Sequence, residues 1–277
     1  MNSPARGLFL IALILALSGL CLGSFAQTPV RGHHPVFYSG ERLQYKVSWL
    51  FFRLGTVVVT TEKIPGPSLD EQYRVRIHVE SNPALFFVSV HSEYESIVSA
   101  SSVRPLSFTA RELSGSDTVV TRYVMNDTLH QVHVDQWHEP GHTEVKQQIL
   151  DSVDVFYEGA SMFFFARSRI HSGTSVTIPT LVEFNFFKTD ISFTKQLSGV
   201  SIDALENEIE TKELYGFAHF VGSSIGGFSG EFRGWFTNDE AAIPVLAEMN
   251  LTLGTADVEL EQWSRGSWSP PLFRGKK

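Results

Sequence analysis

Cysteine is nearly absent. The 277-residue chain has only Cys21, and it lies in an opening segment with the pattern of an export signal. Arg6 supplies the positive end, Leu8 to Leu17 an unbroken apolar core, and Ser24-Phe25-Ala26 a small-x-small cleavage site. Cleavage before Gln27 would leave no thiol, which excludes disulfides, thiolate metal sites and cysteine nucleophiles. Leu20, directly ahead of Cys21, does not suit lipid attachment. Basic residues are also scarce. The 22 Lys and Arg against 30 Asp and Glu give a net charge of -8 with no long basic run, so the attraction to phosphate that nucleic-acid binding needs is missing. The apolar run of the signal is broken at Ser18-Gly19 and is shorter than a comfortable membrane span, so none is expected after cleavage. Missing too is an ordered Ser, His and Asp set. The glycines from Gly222 to Gly230 have no Lys-Ser/Thr after them and read as a loop rather than a phosphate cradle. What remains is an ordinary globular composition, 43% hydrophobic, expected in the periplasm or outside the cell.

Alternation is what the chain has in quantity. Leu43, Tyr45, Val47 and Trp49 alternate with Arg42, Gln44, Lys46 and Ser48, and Tyr73, Val75, Ile77 and Val79 with Arg74, Arg76, His78 and Glu80, which is the pattern of strands with one wet face. Turns are expected at Pro65-Gly66-Pro67, Asn126-Asp127, Glu139-Pro140-Gly141 and Asn238-Asp239-Glu240. Strands are also expected at 184–193, 200–205 and 217–221. One stretch, Asp151 to Ile170, reads as a helix instead, near 152–169, with Asp151 or Ser152 capping its start and Arg167 and Arg169 suiting its end. Asp154, Glu158, Ser161 and Ser168 mark a narrow polar stripe that Phe165 interrupts; the rest of the circumference is apolar and needs enclosing.

The expected organisation is a signal at 1–26, a flexible leader arm at 27–39, a single antiparallel β domain at 40–264 and a disordered tail at 265–277. So many strands cannot lie in one flat layer, because twist makes a large sheet curl, close or split. The fold class is therefore all-β, a strongly curved sheet or partly open barrel with the helix packed in its concavity.

Several segments together resemble an exported bacterial family, domain of unknown function 3108. Gly40-Glu41-Arg42-Leu43-Gln44-Tyr45-Lys46-Val47-Ser48-Trp49 with Gly55 is similar to its first hairpin, and Phe86-Phe87-Val88, Tyr94-Glu95-Ser96 and Arg104-Pro105-Leu106-Ser107-Phe108 to its next block. Asp154 to Arg167 resembles its short helix, and Gly234-Trp235-Phe236-Thr237-Asn238-Asp239 with Ile243-Pro244-Val245 its final hairpin. Asn238 and the stretch Glu208 to Leu214 depart from the pattern. The resemblance implies an envelope protein of antiparallel β structure and no known activity.

Candidate chemistry is thin. His130, His133, His138 and His142 cluster in sequence, and only His138 and His142 can face each other across a hairpin, which is short of a metal site. They read as wet-face histidines, inert to zinc in a thermal melt. Neither Glu93 with Glu95 nor Asp239 with Glu240 has a context that demands acid-base work. No cofactor and no catalytic residue is expected. The aromatic content, with 22 Phe, is rich enough to line an apolar pocket as well as a core. The functional expectation is a non-catalytic envelope protein binding an apolar or amphipathic ligand such as lipid, with Phe156, Tyr157, Phe163 and Phe164 lining the site between helix and sheet. The alternative is a structural or assembly-factor interaction protein with an envelope partner, working through a strand edge or an exposed Phe165.

Overall fold

Period-two alternation becomes strand after strand. The computed structural model describes residues 34–66, 70–85, 90–114, 116–126, 128–141, 143–151, 155–219, 228–251 and 254–275. Eight strands precede the helix: β1 (Glu41–Trp49), β2 (Phe52–Ile64), β3 (Gln72–Ser81), β4 (His91–Ser99), β5 (Pro105–Ser114), β6 (Asp117–Asn126), β7 (Gln131–Glu139) and β8 (Thr143–Asp151). After helix α1 (Gly159–Arg169) come β9 (Ser175–Val182), β10 (Asn185–Ile202), β11 (Leu205–Ala218), β12 (Phe228–Thr237), β13 (Pro244–Leu251) and β14 (Thr255–Ser264). All 14 form one curved, open antiparallel sheet in the order β8-β7-β6-β5-β4-β3-β2-β1-β14-β13-β12-β11-β10-β9, so the first and last strands of the chain's two halves meet at β1 and β14. The all-β, antiparallel expectation holds. On the convex face of β3 and β4, Arg76 pairs with Glu95 at 2.8 Å, while Tyr73, Val75, Ile77 and Val79 are buried on the concave face.

The helix begins later than the sequence suggested. Residues 152–154 lie outside the described residues, and the cap is Glu158: its carboxylate accepts the amides of Ala160 and Ser161, each at 2.9 Å, while the Glu158 amide donates to Ser161 Oγ at 2.9 Å. This reciprocal box satisfies donors that a first turn leaves unpaired. Glu158 and Ser161 are therefore not a solvated stripe; both are fully buried, and Phe165 is buried as well. Tyr157 is held in an extended segment instead, bridging in parallel to Thr180, with its amide donating to the Pro179 carbonyl and its carbonyl accepting from Leu181.

The helix runs against β3 and β4 and ends on buried charge. Arg167, 1% exposed, donates to Glu41 Oε1 at 2.7 Å and Oε2 at 3.0 Å and to the Ala241 carbonyl at 3.0 and 3.1 Å. Arg265 binds the same Glu41 carboxylate and the Pro35 carbonyl. The leader and tail expectations both need correction here. Residues 27–33 lie outside the described residues, but Val36 and Phe37 are core, with Phe37 stacked between Tyr73 at 4.8 Å and Phe164 at 4.4 Å. The stretch 265–275 is not a loose tail. Pro271 accepts from the Glu210 amide, Phe273 donates to the Glu208 carbonyl, and Trp268 Nε1 donates to Asp239 at 2.6 Å. Helix end, Phe37 and C-terminal segment together plug the end of the sheet where β1 begins and β12 finishes.

Parts of two long strands escaped the pattern: residues 194–199 of β10, between the expected strands 184–193 and 200–205, and residues 206–216 of β11, ahead of the expected strand 217–221. β10 is continuous through 194–201, where residues are exposed or half-exposed on both faces, and β11 buries Thr211, whose hydroxyl donates to the Ser198 carbonyl at 3.1 Å. Neither gives the apolar alternation that marks a half-buried strand.

Candidate functional site

The concave face has two characters. On β1 to β3 it is apolar, with Leu43, Tyr45, Val47, Val57, Val59, Val75 and Ile77 buried. From β4 to β7 polar groups point inward among aromatics. Strand register places Ser92 opposite Glu112, Tyr94 opposite Ala110 and Ser96 opposite Phe108, then Phe108 opposite Tyr123 and Ala110 opposite Thr121, which in turn faces Gln136. The rings of Tyr94, Phe108 and Tyr123 stack in succession at 6.2 and 5.0 Å between centroids.

Glu112 is the centre of this patch. Tyr94 donates its hydroxyl to Glu112 Oε1 at 2.8 Å. Burial pushes the Glu112 carboxyl up to about 7; the Tyr94 hydrogen bond opposes the shift and the Glu183 charge adds to it. Tyr94 and Tyr123 are pushed well above the ordinary phenol range, again chiefly by burial, so both remain donors at any physiological pH. Glu183 belongs to the β9–β10 turn, with a left-handed φ of 51°, and Phe184 beside it carries Lys146 of β8 over its ring at 3.8 Å. That turn leans over the β5 to β8 wall from the far edge of the sheet. Deeper in, Ser96 donates to Glu158 at 2.8 Å, and burial raises the Glu158 carboxyl while Ser96, the Ala160 and Ser161 amides and the Ser161 hydroxyl draw it down.

The four aromatic candidates do not line one wall. Phe164 is fully buried, with Phe37 on its ring and the Arg167 guanidinium 4.9 Å from its centroid. Phe163 is half-buried beside it, 5.3 Å away. Phe156 meets Phe186 edge-on at 5.4 Å, and Tyr157 packs on Phe165 at 4.6 Å near the β9 edge. The first pair belongs to the plugged end and the second to the flank. Glu112 was missed, although the signal was in reach: continuing the inward alternation of Phe108 and Ala110 by two residues arrives at it.

Of the paired carboxylates, Glu95 is engaged with Arg76, and Asp239 holds its turn by accepting from Thr237 Oγ1 at 2.7 Å and the Ala242 amide at 3.0 Å. His142, Gly222, Gly226 and Gly227 lie outside the described residues, and His138 lies 3.9 Å from Asp117. On the convex face, His78, Glu80 and His91 place ligand atoms within 4.8 Å of one another.

These features define a barrel-like, antiparallel β protein whose curved sheet is plugged at one end by a capped helix. A solved protein of this kind, a β-barrel-like protein of domain of unknown function DUF1849 from Brucella abortus, superposes with a TM-score of 0.52 at 10% identity, covering 83% of this chain and 98% of that one. A Bacteroides fragilis protein described as exported and YmcC-like in fold covers 82% and 97% at 8% identity with a TM-score of 0.35. No curated protein matches at a significant level. Residues 44–261 match the family model "Protein of unknown function (DUF3108)", and the chain belongs to that family.

Proposed function

We propose that this chain is a non-catalytic protein of the cell envelope that binds an amphipathic ligand, such as a lipid, inside its curved sheet. The observation that carries this reading is the concave wall around Glu112. A half-buried carboxyl titrating near neutrality lies there among stacked aromatic rings, with tyrosine hydroxyls to hold a polar group. Apolar surroundings with a few fixed polar groups suit a molecule with a greasy body and a small polar head. Strand directions support entry from the end away from the plug, because Glu112 and the Glu183-Phe184 turn both lie toward it. The export-signal pattern of the first 26 residues supports the location.

Isothermal titration with soluble dodecyl amphiphiles, neutral, anionic and cationic, tests the reading. The expected result is saturable binding of at least one class, weakened in Tyr94→Phe and Glu112→Gln and unchanged in a Phe51→Ala control. Absence of binding by all three would overturn it. The second reading, an assembly or scaffold protein of the envelope, is favoured by the β1–β2 turn, where Leu50, Phe51 and Phe52 are 60%, 97% and 50% exposed. A partner captured by the wild type and lost in Phe51→Ala, with silent titrations, would select it.

A further inference from the structure

On the convex face, away from the proposed ligand wall, strand register builds a cluster that the sequence order hides. His78 and Glu80 lie two residues apart on β3 and so share a face. Across the ladder, His91 of β4 stands opposite Glu80 and Glu93 opposite His78, giving a square with imidazoles at one diagonal and carboxylates at the other. Glu80 Oε2 is 3.0 Å from His78 Nε2 and 3.2 Å from His91 Nδ1, and the two rings meet edge to face at 5.2 Å. We propose that His78, Glu80 and His91 form a zinc site that ties β3 to β4.

Two of the three spacings fit the ion, and the third, between the two imidazole nitrogens, lies within 4.8 Å and closes by rotation of the exposed side chains. Four-coordinate zinc with bonds of about 2.0 Å sets neighbouring ligand atoms about 3.3 Å apart, so the two Glu80 contacts are within a few tenths of an ångström of what the metal needs. Two imidazoles and a carboxylate suit zinc far better than magnesium or calcium, which prefer all-oxygen shells. Once His78 Nε2 binds metal, its Nδ1 proton points toward Glu93 Oε1, 3.7 Å away, the arrangement by which an outer carboxylate orients a ligating histidine. Nearby positive charge is already engaged: Arg76 is 2.8 Å from Glu95, and Arg74 is 3.6 Å from both Glu62 and Glu95. The three ligands are each partly exposed, so the ion can arrive from solvent and a water can complete its shell.

The competing description is a metal-free ladder in which Glu80 simply accepts two imidazole N–H bonds. Zinc chloride titrated calorimetrically into the tag-free protein separates the two. The zinc site predicts one ion per chain, affinity reduced about tenfold or more in His78→Ala and in His91→Ala, no change in His133→Ala, and no heat from magnesium. Binding should also weaken as pH falls, since protons compete for the same nitrogens, and saturating zinc should raise the unfolding temperature of the wild type but not of His91→Ala. No heat with zinc, or zinc heat that survives both substitutions, would overturn the proposal.

Discussion

Phe37→Ala removes a side chain that joins the segment before β1 to the helix and the sheet together. Its ring is fully enclosed, stacked on Phe164 at 4.4 Å and on Tyr73 at 4.8 Å. Deleting a buried phenylalanine ring costs about 3–5 kcal/mol, including the cavity left behind, and the two stacks place this site toward the upper part of that range, since each is worth about 0.5–1.5 kcal/mol beyond its area. Against a total stability of about 5–15 kcal/mol, such a loss should move the urea midpoint a long way while leaving the slope of the transition unchanged. Tryptophan fluorescence and circular dichroism would follow the same unfolding. Phe51→Ala is the matched control: at 97% exposure it should stay within about 0.5 kcal/mol of the parent. A Phe37→Ala loss below about 1 kcal/mol would mean that the segment is not part of the folded unit, and the plugged-end description would fall with it.

Other substitutions test the rest of the frame. Burial keeps Glu112 protonated up to about pH 7, whereas a glutamate in the unfolded chain ionises near 4.5, so the folded state holds the extra proton in that window. The fold is favoured below the window and loses stability as pH rises through it. Glu112→Gln should gain about 2 kcal/mol near pH 8, a figure lowered for the partial exposure of the carboxyl, and nothing near pH 4. Denaturation midpoints at the two pH values check this, and an unchanged pH slope would contradict it. Glu41→Gln leaves the Arg167 and Arg265 guanidiniums together in the interior and should cost about 3–5 kcal/mol, with little rescue by salt. Gly55→Ala should cost about 1–3 kcal/mol in the same assay, because an added Cβ would lie 2.2 Å from the Glu80 carbonyl oxygen of the neighbouring strand.

Much of the sheet was legible because one face of β1 and β3 is wet and the other dry, and alternation is the signature of that difference. It failed where the difference vanishes. β10 runs through residues exposed on both faces, and β11 buries a threonine. Two adjacent apolar residues, Val36 and Phe37, have no period at all, so their burial had no trace in the pattern. Pro270, Pro271 and Gly275 read as disorder, yet the Pro271 carbonyl and the Phe273 amide pair with β11. In the helix, Glu158 and Ser161 are polar for the sake of the first turn's amides, and a helical wheel assigns such residues to solvent. The candidate wall was half legible: its tyrosines and phenylalanines alternate correctly, but only cross-strand register brings Tyr94 to Glu112. The same holds for His78 and His91, which are separated by the whole β3–β4 connection. That register is the basis of the proposed zinc site, which predicts the opposite of the zinc inertness expected from the histidines at 130–142.

The most direct measurement is native mass spectrometry of the protein purified without detergent. The account predicts a bound amphipathic molecule at one copy per chain, extractable into organic solvent and depleted when Glu112 and Tyr94 are both replaced. A spectrum of bare protein that also takes up no added lipid would contradict it.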